Sequence, residues 1–292
     1  MPHHSNPLNL PKRATMPVLC LTALLLLALN GCGGSTSGGA GTTAAPVTLN
    51  VFAAASLQAA FTKIGDQFHT AHSNVTTTFN FAGSDALATQ IDQGAPADVF
   101  ASANAAQMDV VVKAGGIDGA KATTFAHNRL VAVIPKNNTA KITTLQDLAK
   151  PGVKVVLAAK TVPVGGYALT FLTKASADPT FGASYQANVL KNVVSYEADV
   201  KSVLTKVSLG EADAGIVYTT DAQTTVDSTS TIPIPDAFNV IATYPIGAVK
   251  NSTSATTAQQ FVDYVNSADG QAVLAQYGFV AGSSGSQYKP AS

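Results

Sequence analysis

From Val47 onward the apolar positions of this chain fall into two alternating rhythms. Residues 47–52 are a strand-like run. Leu57, Ala60, Phe61, Ile64 and Phe68 then recur at spacings of three and four, one face of an amphipathic helix. Residues 75–81 alternate and predict a strand. Residues 84–93 predict a helix with Leu87, Ala88 and Ile91 inward, and 98–101 a short buried strand. A helix over 107–114 closes at Gly115-Gly116, a helix-stop signal.

The rhythm continues with strands at 130–134, 153–158, 192–196 and 214–218. Helices are expected at 145–149, 167–175 and 200–209. Residues 240–249, broken at Pro245, return the chain toward the first half. Residues 258–277 supply one or two closing helices, and 281–292 read as a loose tail. Strands that alternate with helices predict an α/β fold with parallel sheets covered on both faces.

Composition narrows the class. Of 292 residues, 46% are hydrophobic and 12% charged, which excludes a disordered chain. Lys+Arg and Asp+Glu are both 17, so the basic excess of a nucleic-acid binder is missing. Lys12 and Arg13 precede an apolar run at 18–29, the length of a signal-peptide core and too short for a membrane span. Leu29-Asn30-Gly31-Cys32 resembles a bacterial lipobox, and a Gly/Ser/Thr run follows as a flexible tether. The expected organisation is a signal peptide over 1–31, then lipidated Cys32 and a tether over 32–46. Removing the signal leaves 15 basic residues against 17 acidic, a formal charge of −2, and Cys32 as the only cysteine.

Four turns between strand-like and helix-like runs carry candidate chemistry. They are Ala53-Ala54-Ala55-Ser56, Ala82-Gly83-Ser84, Pro163-Val164-Gly165-Gly166 and Ala198-Asp199-Val200. In parallel sheets ligands bind beyond the carboxyl ends of strands, where helix N-termini present free N–H groups that favour an anion. Four such turns suit a small oxyanion. Ser56 and Ser84 acting only as caps of their own helices is the plainer alternative.

A resemblance bears on that choice. Val51-Phe52-Ala53-Ala54-Ala55-Ser56-Leu57, Phe81-Ala82-Gly83-Ser84 and the block Gly94-Ala95-Pro96-Ala97-Asp98-Val99-Phe100-Ala101-Ser102-Ala103 stand in one order. Val162-Pro163-Val164-Gly165, Asp199-Val200 and Gly215-Ile216-Val217-Tyr218 with Asp221-Ala222 follow. From about Val47 to Phe279 the chain resembles the periplasmic molybdate-binding proteins of ABC importers. The resemblance implies a two-lobed, type II periplasmic-binding-protein fold, each lobe a mostly parallel sheet flanked by helices, with a two-strand hinge. Lobe I would hold 47–127 and 246–292, and lobe II 128–245.

It also implies ligand contacts from the hydroxyls of Ser56, Ser84 and Tyr218 and the backbone amides of Val164 and Val200, with the Ser56 and Ser84 amides beside them. Val164 stands where many relatives carry Ala. Asp85 would bring a carboxylate near a dianion and is expected to point away. The implied ligand is molybdate, with tungstate, and molybdenum enters only as the oxyanion, without direct protein–metal ligands. No cofactor and no catalysis are implied. The resemblance further implies a membrane permease as partner and an extracytoplasmic, lipid-anchored monomer. Molybdate and tungstate at neutral pH offer only acceptors, so their site should supply only donors.

Other readings have weaker support. Sulfate and phosphate are the alternative oxyanions. Ferric iron is another alternative, suggested by Tyr167, Tyr185, Tyr196 and Tyr218, but such sites need paired tyrosinates with carboxylates. His69 and His72 sit three apart without a Cys or acidic pair to complete a metal site. Phosphate-loop, dinucleotide and nucleophile-elbow motifs are absent. Asp98 is expected to brace a strand end on the hinge side of the cleft.

Overall fold

The computed structural model describes residues 45–282 and 286–291. The signal segment, Cys32 and nearly all of the tether lie outside the described residues. The first part of the chain runs β1 (Val47–Ala54), α1 (Gln58–Ala71), β2 (Val75–Ala82), α2 (Ser84–Asp92), β3 (Val99–Ala101), α3 (Ala105–Lys113) and β4 (Thr123–Asn128). After Arg129 come β5 (Leu130–Pro135), β6 (Val155–Ala158), α4 (Pro163–Ser176), α5 (Tyr185–Lys191), β7 (Val193–Glu197), α6 (Val200–Ser208), β8 (Ala214–Tyr218), α7 (Thr219–Ala222) and β9 (Thr229–Pro233). The chain ends with β10 (Ala242–Ala248), α8 (Ala255–Asn266), α9 (Ala268–Gln276) and β11 (Val280–Ala281). Short 3-10 turns at Ala55–Leu57, Leu145–Ala149 and Gln223–Thr225 complete the order.

Two sheets result. One runs β11-β4-β10-β3-β1-β2 and the other β7-β6-β8-β5-β9. Both are mixed. The parallel pairings expected from the sequence hold around β1 (with β2 and β3) and around β6 (with β7 and β8). β10, β4 and β11 in one sheet, and β5 and β9 in the other, pair antiparallel. The chain passes between the sheets twice, at Arg129 and between Pro233 and Ala242.

Burial follows the strand types. β8 is buried at every residue and β1 along its carboxyl half, as strands covered on both faces require. α6 buries Val200, Val203, Leu204 and Val207 at helical spacing while Lys201 and Ser202 stay half-exposed. Fully burying each such Val or Leu contributes about 1.5–3 kcal/mol. The core helix α1 buries Phe61, Ile64 and Phe68, whose rings meet Phe261 of α8 at 6.1 and 5.3 Å (Phe61 and Phe68).

Two expectations need correction. α4 begins at Pro163, four residues before the expected start, because Pro at the first helical position is pre-set for the helix. Gly165 is required there: a β-carbon would lie 2.1 Å from the Ala159 carbonyl oxygen and 2.4 Å from that of Ala158. The described part of the C-terminal tail is not loose. Tyr288 is buried in a small core cluster with Phe52, Leu87 and Met108, its N–H donates to Ala122 O at 3.1 Å, and Ala291 N donates to Asp109 Oδ2 at 2.9 Å.

Candidate functional site

The register of the two parallel regions sets the site. Ala54 pairs with Ala82 and Ala53 with Ala101, so β1, β2 and β3 end side by side. Beyond those ends lie Ser56, Gly83-Ser84 and Ala103. In the second sheet β6, β7 and β8 release the chain into the first turns of α4, α6 and α7. All six ends face one hollow. It is lined by Ala55, Ser56, Ser84, Ala103, Val164, Asp199, Val200 and Tyr218, among others.

The hollow is small. Its volume of about 10 Å3 is far below the ~300–1,000 Å3 of pockets for organic ligands, so a sugar or an amino acid does not fit it.

Neither serine caps its own helix. Ser84 is the first residue of α2, capped by Gly83 without a side-chain bond. Its Oγ instead accepts the Ala103 N–H at 3.0 Å, across from β2 to the end of β3. With that acceptor in use, the hydroxyl proton remains to donate. Ser56 Oγ lies 3.0 Å from the hydroxyl of Tyr244 on β10. The Tyr218 hydroxyl is buried with no partner among the described residues. A buried polar group without a partner requires an explanation, and a ligand in the hollow supplies one. Burial first, then the neighbouring Tyr244 and Tyr167 hydroxyls and the Asp221 carboxylate, hold the Tyr218 phenol well above its usual pKa. It remains a neutral donor.

The amides come from the second half. Val164 is the second residue of α4 and Val200 the first of α6, so their N–H groups have no acceptor inside their helices. The nearby acids are turned elsewhere. Asp199 lines the hollow, but its oxygens accept Ser202 N at 2.9 Å and Ser202 Oγ at 3.0 Å, capping α6. Asp85 does not line the hollow, but its buried Oδ1 lies beside Gly83 and has no hydrogen-bond partner among the described residues. Asp221, fully buried behind Tyr218, has Lys201 Nζ 2.8 Å from its Oδ1. Burial raises its pKa, and Lys201 opposes that rise.

All five contact residues expected from the sequence, Ser56, Ser84, Val164, Val200 and Tyr218, therefore line one hollow. Of the four tyrosines considered for iron only Tyr218 does so. Tyr185 donates to Leu145 O, Tyr196 is exposed, and Tyr167 reaches Ala103 O at 3.5 Å. His69 Nδ1 is held 2.6 Å from Val75 O, and no cluster of three metal-ligating side chains exists among the described residues. Asp98 is a brace, but at the amino end of β3, away from the hollow. It accepts Asn50 N at 2.7 Å and Ser252 Oγ at 2.6 Å. The sequence reading missed Ala103, whose contribution is a backbone N–H and leaves no side-chain signal. It also missed Tyr244, for which the alternation of Ala242, Tyr244 and Ile246 was the available cue.

Two α/β sheets whose strand ends share one donor-lined hollow define a solute-binding protein. Comparison with known proteins agrees: the profile of the bacterial extracellular solute-binding proteins matches residues 49–280, and the chain belongs to that family. It is an extracytoplasmic binding protein, not an enzyme. The molybdate-binding protein ModA of Mycobacterium tuberculosis is 42% identical over 261 residues, 89% of this chain and 95% of the relative. The putative ABC transporter substrate-binding lipoprotein YvgL of Bacillus subtilis is 33% identical over 275 residues, 92% and 99% of the two chains. The periplasmic molybdate-binding protein of Azotobacter vinelandii superposes with a TM-score of 0.67 at 18% identity, covering 80% of this chain and 99% of that one, a likeness of fold. The kinship read from the sequence motifs is thereby shown.

Proposed function

We propose that this protein captures molybdate, and tungstate with it, and delivers it to the permease of an ABC importer. One observation carries the reading: the hollow presents hydroxyl protons and helix-terminal amides, and its one lining carboxylate, Asp199, is spent on Ser202. Molybdate has acceptors only, and each hydrogen bond to a charged group contributes ~1.5–3 kcal/mol. Half a dozen offset much of the ion's dehydration. A protonated phosphate would bring an O–H for which the hollow's lining offers no carboxylate that is not already engaged. Ferric iron would need tyrosinate, and burial drives Tyr218 the opposite way. The molybdate-binding relatives support the same ligand.

The two sheets act as lobes that close over the anion by hinge motion; β10 joins the first sheet from Ala242, so that lobe takes the chain back four residues before the expected boundary at 246. Gln107 Nε2, which donates to Thr161 O at 3.2 Å, spans the two in the closed form. Lipidated Cys32 tethers a monomer to the membrane beside its permease.

The test is a thermal-shift panel. A ligand that binds only the native state at 100 times its Kd stabilises it by about 2.7 kcal/mol. Molybdate and tungstate are expected to raise the melting temperature while sulfate and phosphate leave it nearly unchanged. An equal or larger shift with sulfate would overturn the specificity.

A further inference from the structure

A buried polar chain runs from the passage between the sheets to the hollow. Asn128, the last residue of β4, places its Oδ1 2.9 Å from Arg129 N and 3.0 Å from Thr219 Oγ1, both donors. That fixes the amide orientation. Its Nδ2 therefore faces Thr220 Oγ1 at 2.8 Å and Tyr244 Oη at 3.5 Å. An amide nitrogen can only donate. The Tyr244 hydroxyl cannot give its proton to Asn128, and the neighbouring Tyr218 hydroxyl lies outside hydrogen-bond geometry, so the acceptor left to it is Ser56 Oγ at 3.0 Å. Ser56, having accepted, must turn its own proton toward the hollow. Asn128, Tyr244 and Ser56 are all buried, so water does not rearrange this order.

We infer that Asn128 and Tyr244 are positioning residues that lock Ser56 as a donor to the bound oxyanion. The inference rests on the oxyanion reading of the hollow. The same Asn128 side chain holds Thr219 and Thr220, the residues that follow Tyr218, so one amide on the passage between the sheets sets hydroxyls from both halves. A chain of hydrogen bonds polarised in one direction strengthens its last member. A hydroxyl free to rotate would instead spend part of its time presenting a lone pair to the anion.

The test is calorimetric titration of molybdate into wild type, Tyr244→Phe, Ser56→Ala and the double variant. The Tyr244 ring packs between Phe125, Tyr218 and Phe279 at 6.2, 5.9 and 5.5 Å, and Phe keeps that packing. The unliganded melting temperature of Tyr244→Phe, measured alongside, is expected to stay within a few degrees of wild type. Its affinity is expected to fall about tenfold, the scale of one hydrogen bond to a charged group. A merely structural tyrosine would lower affinity equally in both backgrounds. The lock predicts that adding Tyr244→Phe to Ser56→Ala changes affinity by less than about twofold, the non-additivity of residues in one network. Wild-type affinity in Tyr244→Phe, or losses that multiply in the double variant, overturns the lock while leaving the anion site standing. A wild type that does not bind molybdate overturns the anion reading and this inference with it.

Discussion

Gly83 and Ala198 meet across the hollow so closely that a β-carbon on Gly83 would lie 2.5 Å from the Ala198 carbonyl oxygen. Gly83 caps α2 beside the first sheet, and Ala198 precedes α6 beside the second. The same β-carbon would lie 2.7 Å from Asp85 Oδ1 in its own half, a side-chain end that can turn aside, so the Ala198 backbone of the other half is the harder obstacle. Gly83→Ala is therefore expected to penalise closure. A penalty of about 1.4 kcal/mol on the closed state lowers apparent affinity roughly tenfold. The unliganded melting temperature should hardly move. A large drop in that temperature with unchanged affinity would show the contact to be structural instead.

Tyr218→Phe separates binding from stability in the opposite sense to most core changes. The hydroxyl is buried without a partner, so its removal should leave the unliganded protein as stable or slightly more so. Molybdate affinity should fall by about one to two orders of magnitude, matching ~1.5–3 kcal/mol for a lost bond to a charged group. Calorimetry and a melting curve on the same preparation decide it. Retained affinity would remove Tyr218 from the site.

Ser84→Ala is expected to cost both. Its Oγ accepts the Ala103 N–H, and an orphaned buried N–H costs about 1–3 kcal/mol. The unliganded stability should fall by that amount in urea unfolding, and the affinity should fall as well. The bond to Ala103 ties this hydroxyl to the fold as well as to the site.

Affinity should be flat from about pH 7 to 9, because the hollow's donors are hydroxyls and amides that do not titrate there. The Tyr218 phenol is raised by burial, which keeps it a donor throughout. The sign for stability follows. A phenol raised in the folded state contributes fully below the unfolded value near 10, and its contribution is lost as pH rises beyond that. Titrations across this range check the claim, and a midpoint near neutrality would point to an unrecognised ionisable contact.

Much of the fold was legible because parallel strands buried on both faces leave continuous apolar runs, as at 214–218, and their helices leave clean spacing, as in α1. β4 escaped because Thr123–Asn128 mixes Phe125 with His127 and Asn128 and keeps no simple alternation. β9, Thr229–Pro233, reads as turn because Thr, Ser and Pro favour turns, and only pairing with β5 makes it a strand. The seven-residue α5 buries only Tyr185 and Val189, too few for a period. The site's turns were visible from motif and spacing. The polarity of its hydroxyls was not, since Ser84 depends on Ala103 and Ser56 on Tyr244, 188 residues away.

The most direct test of the central claim is a crystal of the protein grown with molybdate, with anomalous scattering recorded at the molybdenum edge. The account predicts a single strong peak in the hollow, within hydrogen-bond reach of Ser56, Ser84 and Tyr218 and of the Val164 and Val200 amides. A hollow without that peak, or molybdenum bound elsewhere on the chain, would contradict it.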